Sequence, residues 1–440
     1  MASDQAQAAE AMDSEQAVIE EPSGLSTRRI RLRATPDTRG IYAHFGEYEV
    51  TSAFQPIYSI AHRRPVGFEG LLRAYTAQGV AVPPGKVFGS AISDAETVVL
   101  DSLCWSLHAQ NFLSMADEVS WLFLNISPAT AIQKDRYGNY LGKLSRQFGL
   151  ASHRVVIEIL EDAVADKGAL AEAVAFFKEL GCLVAIDDFG AGHSNFDRIW
   201  HLAPDIVKLD RSVISQAARN RTVERILPSL VNLIHEAGCL TLIEGVETEV
   251  EALMAIDSGI DFVQGYYFGR PTQNPFSSST SGSVIGPLCE KFKEFADQKR
   301  ASKRLGLAQY MSEVMQAGRL IESGFPFEKA CAKLVQNPRV ERCFLLDQTG
   351  MQLSRNLEPR PNLGREQARF LPIADAAGAN WSRRPYFQRA IAAPGEIQCT
   401  RPYLSVTGAR ICITLSLAIW DSEQMKVLCC DLVCDDNSCA

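Results

Sequence analysis

Seven short apolar runs in this chain each carry a polar side chain at or near their end, and helical patterns lie between several of them. The runs are PVGFEGLLR with Glu69, WLFLNIS with Asn125, RVVIEILE with Glu158, LVAIDDFG with Asp187 and Asp188, PDIVKLD with Lys208, CLTLIEGVE with Glu244 and FVQGYYFG with Gln264. Among the intervening segments, ALAEAVAFFKELG and ERILPSLVNLIHEAG are amphipathic and close on glycine, a common helix stop. Strands that alternate with helices build a mainly parallel sheet. Repeated over about 230 residues, the alternation predicts an α/β fold, a TIM-type (β/α) barrel, whose chemistry sits at the C-terminal ends of its strands.

Every ligand type on that ring is hard. Glu69, Asn125, Glu158, Asp187, Asp188 and Glu244 offer oxygen, and no strand end offers His or Cys. Oxygen donors favour Mg²⁺, Mn²⁺ or Ca²⁺ over zinc or copper. Carboxylates gathered at one barrel mouth raise one another's pKa unless cations compensate. The adjacent aspartates then predict two ions, with Asp187 shared and Asp188 completing the second site. Such a site suits phosphoryl transfer to water. Lys208 is placed to hold that water or to neutralise a phosphate oxygen, and Arg73 to grip phosphate as a bidentate fork. Taken singly, Asp-Asp is more often a solvated turn or helix N-cap than a metal site, and Lys208 reads as a surface lysine or a salt-bridge partner; only the joint placement raises the metal reading.

These residues resemble the EAL family of cyclic di-GMP phosphodiesterases. The likeness runs from FQPIYS at Phe54 to GRP at Pro271 through FEGLLR, FLNIS, IEILE, DDFGAG, KLD, EGVE and QGYYFGRP in order. It implies a barrel with one antiparallel strand and hydrolysis of one phosphodiester bond of cyclic di-GMP to linear pGpG. It also implies two ions, Mg²⁺ or Mn²⁺, the first held by Glu69, Asn125, Glu158 and Asp187, the second by Asp187, Asp188 and Glu244. Lys208 would position the attacking water. Gln55, Leu71, Arg73, Asp210 and Gln264 would meet substrate. Glu161 would brace the loop after the aspartates, where Phe189 and Gly190 also lie and which contributes to a homodimer contact in the family. Gly70 stands where the signature has alanine, which adds backbone freedom and removes no ligand. His193, Asn195 and Ile243 also depart from the family pattern, which touches dimer coupling and rate more than chemistry. A binding-only receptor for cyclic di-GMP is the alternative, although such proteins usually lack several ligands that are present here. An enolase-like barrel would need a Lys or His base pair that the chain lacks.

The 440 residues, with a net charge of −8, allow further domains and give no basic face for duplex nucleic acid. Residues 1–42 read as a flexible leader, 43–275 as the barrel, 276–325 as a Ser/Gly-rich linker and connecting helix, and 326–440 as a second domain. In that domain, helices precede ERCFLLDQTGMQLS, read as a hairpin, and the β-rich runs ARICITLSLAIW and MKVLCCDLV, an α+β order. WSRRPYFQRAI and TRPYLSVTGARICITLS resemble PAS/Cache-type sensor domains, which implies a small-ligand pocket at Trp381, Arg384, Tyr386 and Tyr403, or a dimerisation module. The acidic start has no apolar signal region and no run reaches the roughly 18–20 apolar residues of a membrane span, so a cytoplasmic location is expected. The 12 cysteines are then mostly reduced. Four crowd the C-terminus, Cys429, Cys430, Cys434 and Cys439, in no zinc spacing, with Cys429 and Cys430 on opposite faces of a strand.

Overall fold

The computed structural model describes residues 32–34, 40–115, 118–132, 149–160, 167–192, 196–274, 284–359, 373 and 376–434. Most of the leader, Glu161, His193, Asn195, the core of the Ser/Gly-rich break and Cys439 lie outside them. The chain divides into two compact units, Met1–Lys293 and Glu294–Ala440.

In the first unit eight strands close on themselves: β1 (Tyr48–Ser59), β2 (Arg64–Tyr75), β3 (Trp121–Ile126), β4 (Val155–Leu160), β5 (Leu183–Phe189), β6 (Ile206–Leu209), β7 (Leu240–Ile243) and β8 (Phe262–Val263). From β2 to β8 each neighbour is parallel. β1 runs antiparallel to both β2 and β8 and seals the barrel. The expected helices appear as α2 (Lys167–Glu179) and α5 (Arg221–Glu236), after α1 (Asp94–Leu113) and with α3 (Phe196–Leu202) and α4 (Arg211–Arg219) between them. Asn220 caps α5 by accepting from the Thr222 N–H, and the glycines past α2 and α5 take left-handed backbone, Gly181 at φ 85° and Gly238 at φ 84°.

A plug of apolar side chains fills the barrel: Ile57, Phe123, Val156, Ala185, Ile206, Leu242 and Phe262, with Val66 packed against it. It draws on all eight strands. Gly67 leaves β2 bare because a Cβ there would stand 2.7 Å from the Phe123 ring. Strand side chains alternate faces, so the next inward position lies two residues on. Two residues on from Phe123, Val156, Ala185, Ile206, Leu242 and Phe262 stand Asn125, Glu158, Asp187, Lys208, Glu244 and Gln264. Two residues back from Ile57 on the reversed β1 stands Gln55. Strand alternation alone sets a polar layer on top of the apolar one.

Behind β2, the buried imidazole of His108 on α1 is held neutral, its pKa lowered to about 3 by burial first and by the charge of Arg73 second. A folded pKa below the unfolded value of 6.5 means that the unfolded chain takes up the proton first. The stabilisation is therefore present above pH 6.5 and is lost as pH falls toward 3, by roughly 4–5 kcal/mol in all. Acid melts of wild type and His108→Gln check this: the wild type is expected to lose stability more steeply below pH 6.5. Parallel curves would contradict it.

The second unit is α+β. A helix, α6 (Ile285–Glu322), runs into it. FPFEKACAKLVQ, one of the helices expected ahead of the sheet, breaks into a short turn of helix, Phe327–Ala330, and a 3₁₀ turn, Leu334–Gln336. The antiparallel sheet orders β9 (Val340–Asp347), β11 (Gln424–Val433) and β10 (Ile411–Asp421), with Gln398–Cys399 and Tyr403–Leu404 also on β10. The expected hairpin turns at Asp347–Gly350, but its return arm makes only isolated bridges, such as Leu346 with Gln352, instead of a full strand. Cys429 and Cys430 belong to the apolar clusters on the two opposite faces of β11. Among the described residues no helix is long and apolar enough to cross a membrane.

Candidate functional site

The polar layer is a connected cluster. Asn125 donates through Nδ2 to Glu69 Oε1 at 2.9 Å, and Gln264 donates through Nε2 to Glu69 Oε2 at 2.7 Å. Gln55 donates to the Gly269 carbonyl at 3.1 Å and accepts from Gln264 at 3.3 Å. Lys208, 1 % exposed, reaches Glu158 Oε1 at 2.6 Å and Asp187 Oδ1 at 3.0 Å, and pairs with Glu244 as well. Asp187, Asp188 and Glu244 present ligand oxygens within 4.8 Å of one another.

Burial alone would push the Lys208 ammonium down, but Asp187, Glu158 and Glu244 outweigh it and hold its pKa well above the ordinary value. Lys208 is therefore a fixed cation and no base. One ammonium does not balance the acids around it. Burial, and the charges of Glu69, Asp187 and Glu244, push Glu158 well above the usual carboxylate range despite Lys208. Glu244 is pushed up to about 8, chiefly by desolvation and then by Asp187 and Glu69, against Lys208. Buried Glu158 Oε2 has no hydrogen-bond partner among the described residues. An orphaned buried oxygen and an excess of carboxylates are what a hard divalent cation requires, so the residues fit the metals that the sequence implies.

The paired aspartates sit at an irregularity: β5 loses register with β6 between Ile186 and Phe189. Asp188 adopts left-handed backbone at φ 58°, and its N–H donates to Asp187 Oδ1 at 3.0 Å. Left-handed backbone is costly for a non-glycine residue and is found where surrounding structure enforces it, often at functional sites. The Asp188 carboxyl is raised by desolvation first, then by Asp187 and Asp210. After it, Phe189 is buried edge-on to Phe196, and Gly190, at φ 100°, passes so close to Val213 that a Cβ would meet it at 2.6 Å.

The other sequence-selected residues are placed as follows. Leu71 and Arg73 follow Glu69 on β2, and the Arg73 guanidinium donates to the Leu72 carbonyl at 2.9 Å. Asp210 caps α4, accepting from the Ser212 N–H at 2.9 Å. In the second unit, Trp381 donates through Nε1 to Gln352 at 3.0 Å, Tyr386 stacks with Tyr403, and the Arg384 guanidinium lies 5.8 Å from the Tyr403 ring centre. The sequence reading missed the pair beside them. Buried Arg342 bonds Asp431 at 2.7 Å, and Asp431 also accepts from Thr414 and Tyr403. It also missed the α1 side chains behind Glu69 and Asn125. In both cases the signal was a polar residue inside an apolar run.

A family model described as EAL domain matches residues 42–271. The chain belongs to the EAL domain family. It is 24% identical over 348 residues to the uncharacterized EAL-domain containing protein YkuI of Bacillus subtilis, covering 77% of this chain and 83% of YkuI. A crystal structure of YkuI, described as a complex with substrate c-di-GMP and calcium, superposes with a TM-score of 0.74 at 23% identity. That likeness covers 88% of this chain and 96% of YkuI, and shows a shared fold. The chain is also 26% identical over 263 residues to the cyclic di-GMP phosphodiesterase RocR of Pseudomonas aeruginosa, covering 58% of this chain. It is 28% identical over 222 residues to the probable cyclic di-GMP phosphodiesterase PdeN of Escherichia coli, covering 50% of this chain. These matches span 66% of RocR and 43% of PdeN.

Proposed function

We propose that the chain is a metal-dependent phosphodiesterase that hydrolyses cyclic di-GMP to pGpG. The observation that carries this is the polar layer itself: Glu69, Glu158, Asp187, Asp188 and Glu244 gather around the buried Lys208 ammonium, and Glu158 Oε2 has no hydrogen-bond partner among the described residues. The names of RocR and PdeN support the choice of substrate. Glu69, Asn125, Glu158 and Asp187 would hold one Mg²⁺ or Mn²⁺ ion, and Asp187, Asp188 and Glu244 a second. Ions held by these residues would supply Lewis-acid polarisation of the phosphoryl oxygens and would acidify a water. Lys208 fixes the position of that water by its charge. Gln55 and Gln264 orient the guanine-bearing dinucleotide through their amides, and Leu71, Arg73 and Asp210 border it. Buried Gln264 Oε1 is an acceptor with no partner among the described residues. Water attacks phosphorus, the bond from phosphorus to one ribose 3′ oxygen breaks, and that oxygen leaves with a proton.

The second unit, in this reading, is a PAS/Cache-like regulatory domain whose Trp381, Arg384, Tyr386 and Tyr403 meet a small ligand. A cytoplasmic homodimer, with Glu161, Phe189 and Gly190 supporting the contact loop, completes the reading.

Chromatography of cyclic di-GMP incubated with the protein and Mn²⁺ or Mg²⁺ tests the activity. The wild type is expected to yield pGpG, chelation to stop it, and Glu69→Ala to lose about 100-fold or more, because it removes a ligand and frees both Asn125 and Gln264. Equal turnover by Glu69→Ala would rule out the assigned ring.

A further inference from the structure

Helix α1 is largely apolar where it faces the barrel, yet it buries Asp101, Trp105 and His108 to 3, 1 and 3 % exposure. Spaced i, i+4 and i+7, they share one helix face. All three engage the strands that carry Glu69 and Asn125, or the turn just beyond. Asp101 Oδ2 accepts from the Ser127 N–H at 3.1 Å and from the Thr130 hydroxyl at 2.5 Å, just past the end of β3. Trp105 donates through Nε1 to the Asn125 carbonyl at 2.8 Å. His108 stands behind Gly70: a Cβ at residue 70 would meet its Cγ at 2.9 Å, Cδ2 at 3.0 Å and Cβ at 3.1 Å. The imidazole cannot easily retreat, because Nδ1 is bonded to Ser52 Oγ at 2.8 Å, and Ser52 Oγ accepts from Asn111 at 3.2 Å. Gly70 lies beside Leu124 in the β2–β3 ladder, so the Gly70 and Asn125 contacts brace adjacent strands one residue apart.

We propose that Trp105 and His108 are positioning residues for the Glu69–Asn125 pair, and that residue 70 is glycine because the His108 imidazole fills the space a side chain would need. The inference rests on the metal reading above. Glu69 faces into the barrel and Gly70, its neighbour, faces α1. A methyl group at residue 70 pressed against a fixed imidazole must shift β2, and Glu69 moves with it. A metal site tolerates displacements of only about 0.5 Å, and outer partners of metal ligands are worth about 10- to 100-fold in affinity. Gly70 is therefore more than a harmless relaxation of the signature: it is half of a complementary pair.

Calorimetric titration of the full chain with Mn²⁺ alone tests this, with melting temperatures read alongside. Gly70→Ala is expected to weaken Mn²⁺ binding about 10-fold, and Gly70→Ala with His108→Ala to recover most of the loss. Trp105→Phe removes the donor together with the five-membered ring of a fully buried indole, and is expected to weaken Mn²⁺ binding about 10-fold and to lower the melting temperature as well. Variants that melt earlier but bind Mn²⁺ as the wild type does, or a double variant whose losses simply add, would overturn the positioning role. If Gly70→Ala does not fold, Trp105→Phe decides alone. Wild type that binds no Mn²⁺ would overturn the metal reading and this inference together, whereas tight wild-type binding without coupling overturns only the inference.

Discussion

Replacing Lys208 with methionine is expected to cut turnover of cyclic di-GMP by about 100- to 10,000-fold. It is also expected to lower the melting temperature of the metal-free barrel by roughly 5–10 °C. Both effects have one cause. The ammonium is the cation shared by Glu158, Asp187 and Glu244, and it is 1 % exposed. Removing one partner of a buried ion pair leaves the other charge unpaired, at a cost of about 3–5 kcal/mol. Divalent cations at the same carboxylates would offset that loss. Saturating Mn²⁺ should therefore restore most of the variant's melting temperature and little of its activity. Melting curves of Lys208→Met with and without Mn²⁺ check the first half, and initial rates the second. A variant that melts like the wild type without metal would show that Lys208 does not hold the acids together.

The second large effect is expected in the other unit. Arg342→Met should destabilise it by about 3–5 kcal/mol. Arg342 and Asp431 face each other across β9 and β11, with side chains 3 % and 0 % exposed. The guanidinium also lies 4.3 Å from the Phe344 ring centre and donates to Asn356 at 3.2 Å. Asp431 keeps Thr414 and Tyr403 as donors after the substitution, but neutral donors do not replace a buried counter-charge. The double variant Arg342→Met, Asp431→Leu should regain most of the loss, since removing both charges is far cheaper than removing one. Denaturant melts of the full chain followed by tryptophan fluorescence check this, because Trp381 lies 5.9 Å from Arg342 and reports on the same cluster. If the single variant were no worse than the double, the pair would not be the anchor of this sheet.

The polar layer was legible because a barrel strand obeys alternation. Once Phe123, Val156 and Ala185 are inward, Asn125, Glu158 and Asp187 must be. β1 was harder. It runs backwards through the ring, so Gln55 precedes its apolar partner Ile57 and looks like a strand start. Only the family resemblance pointed to it. The α1 braces were hidden for another reason. Asp101, Trp105 and His108 answer to atoms on strands distant in sequence, and a helical period shows which face they share without showing what they meet. Gly70 read as added freedom, while the fold makes it a close packing position. In the second unit the aromatic residues drew attention away from Arg342 and Asp431. Opposite charges embedded in ERCFLLD and LCCDLV, two apolar strand runs, were the clue that those strands pair.

The most direct test of the central claim is to let the protein act on cyclic di-GMP with Mn²⁺ in heavy-oxygen water and weigh the products. The account predicts pGpG that carries one heavy oxygen on its terminal phosphate, which places the water attack at phosphorus. Intact cyclic di-GMP, held tightly by a protein saturated with Mn²⁺, would contradict hydrolysis and make this ring of acids a receptor.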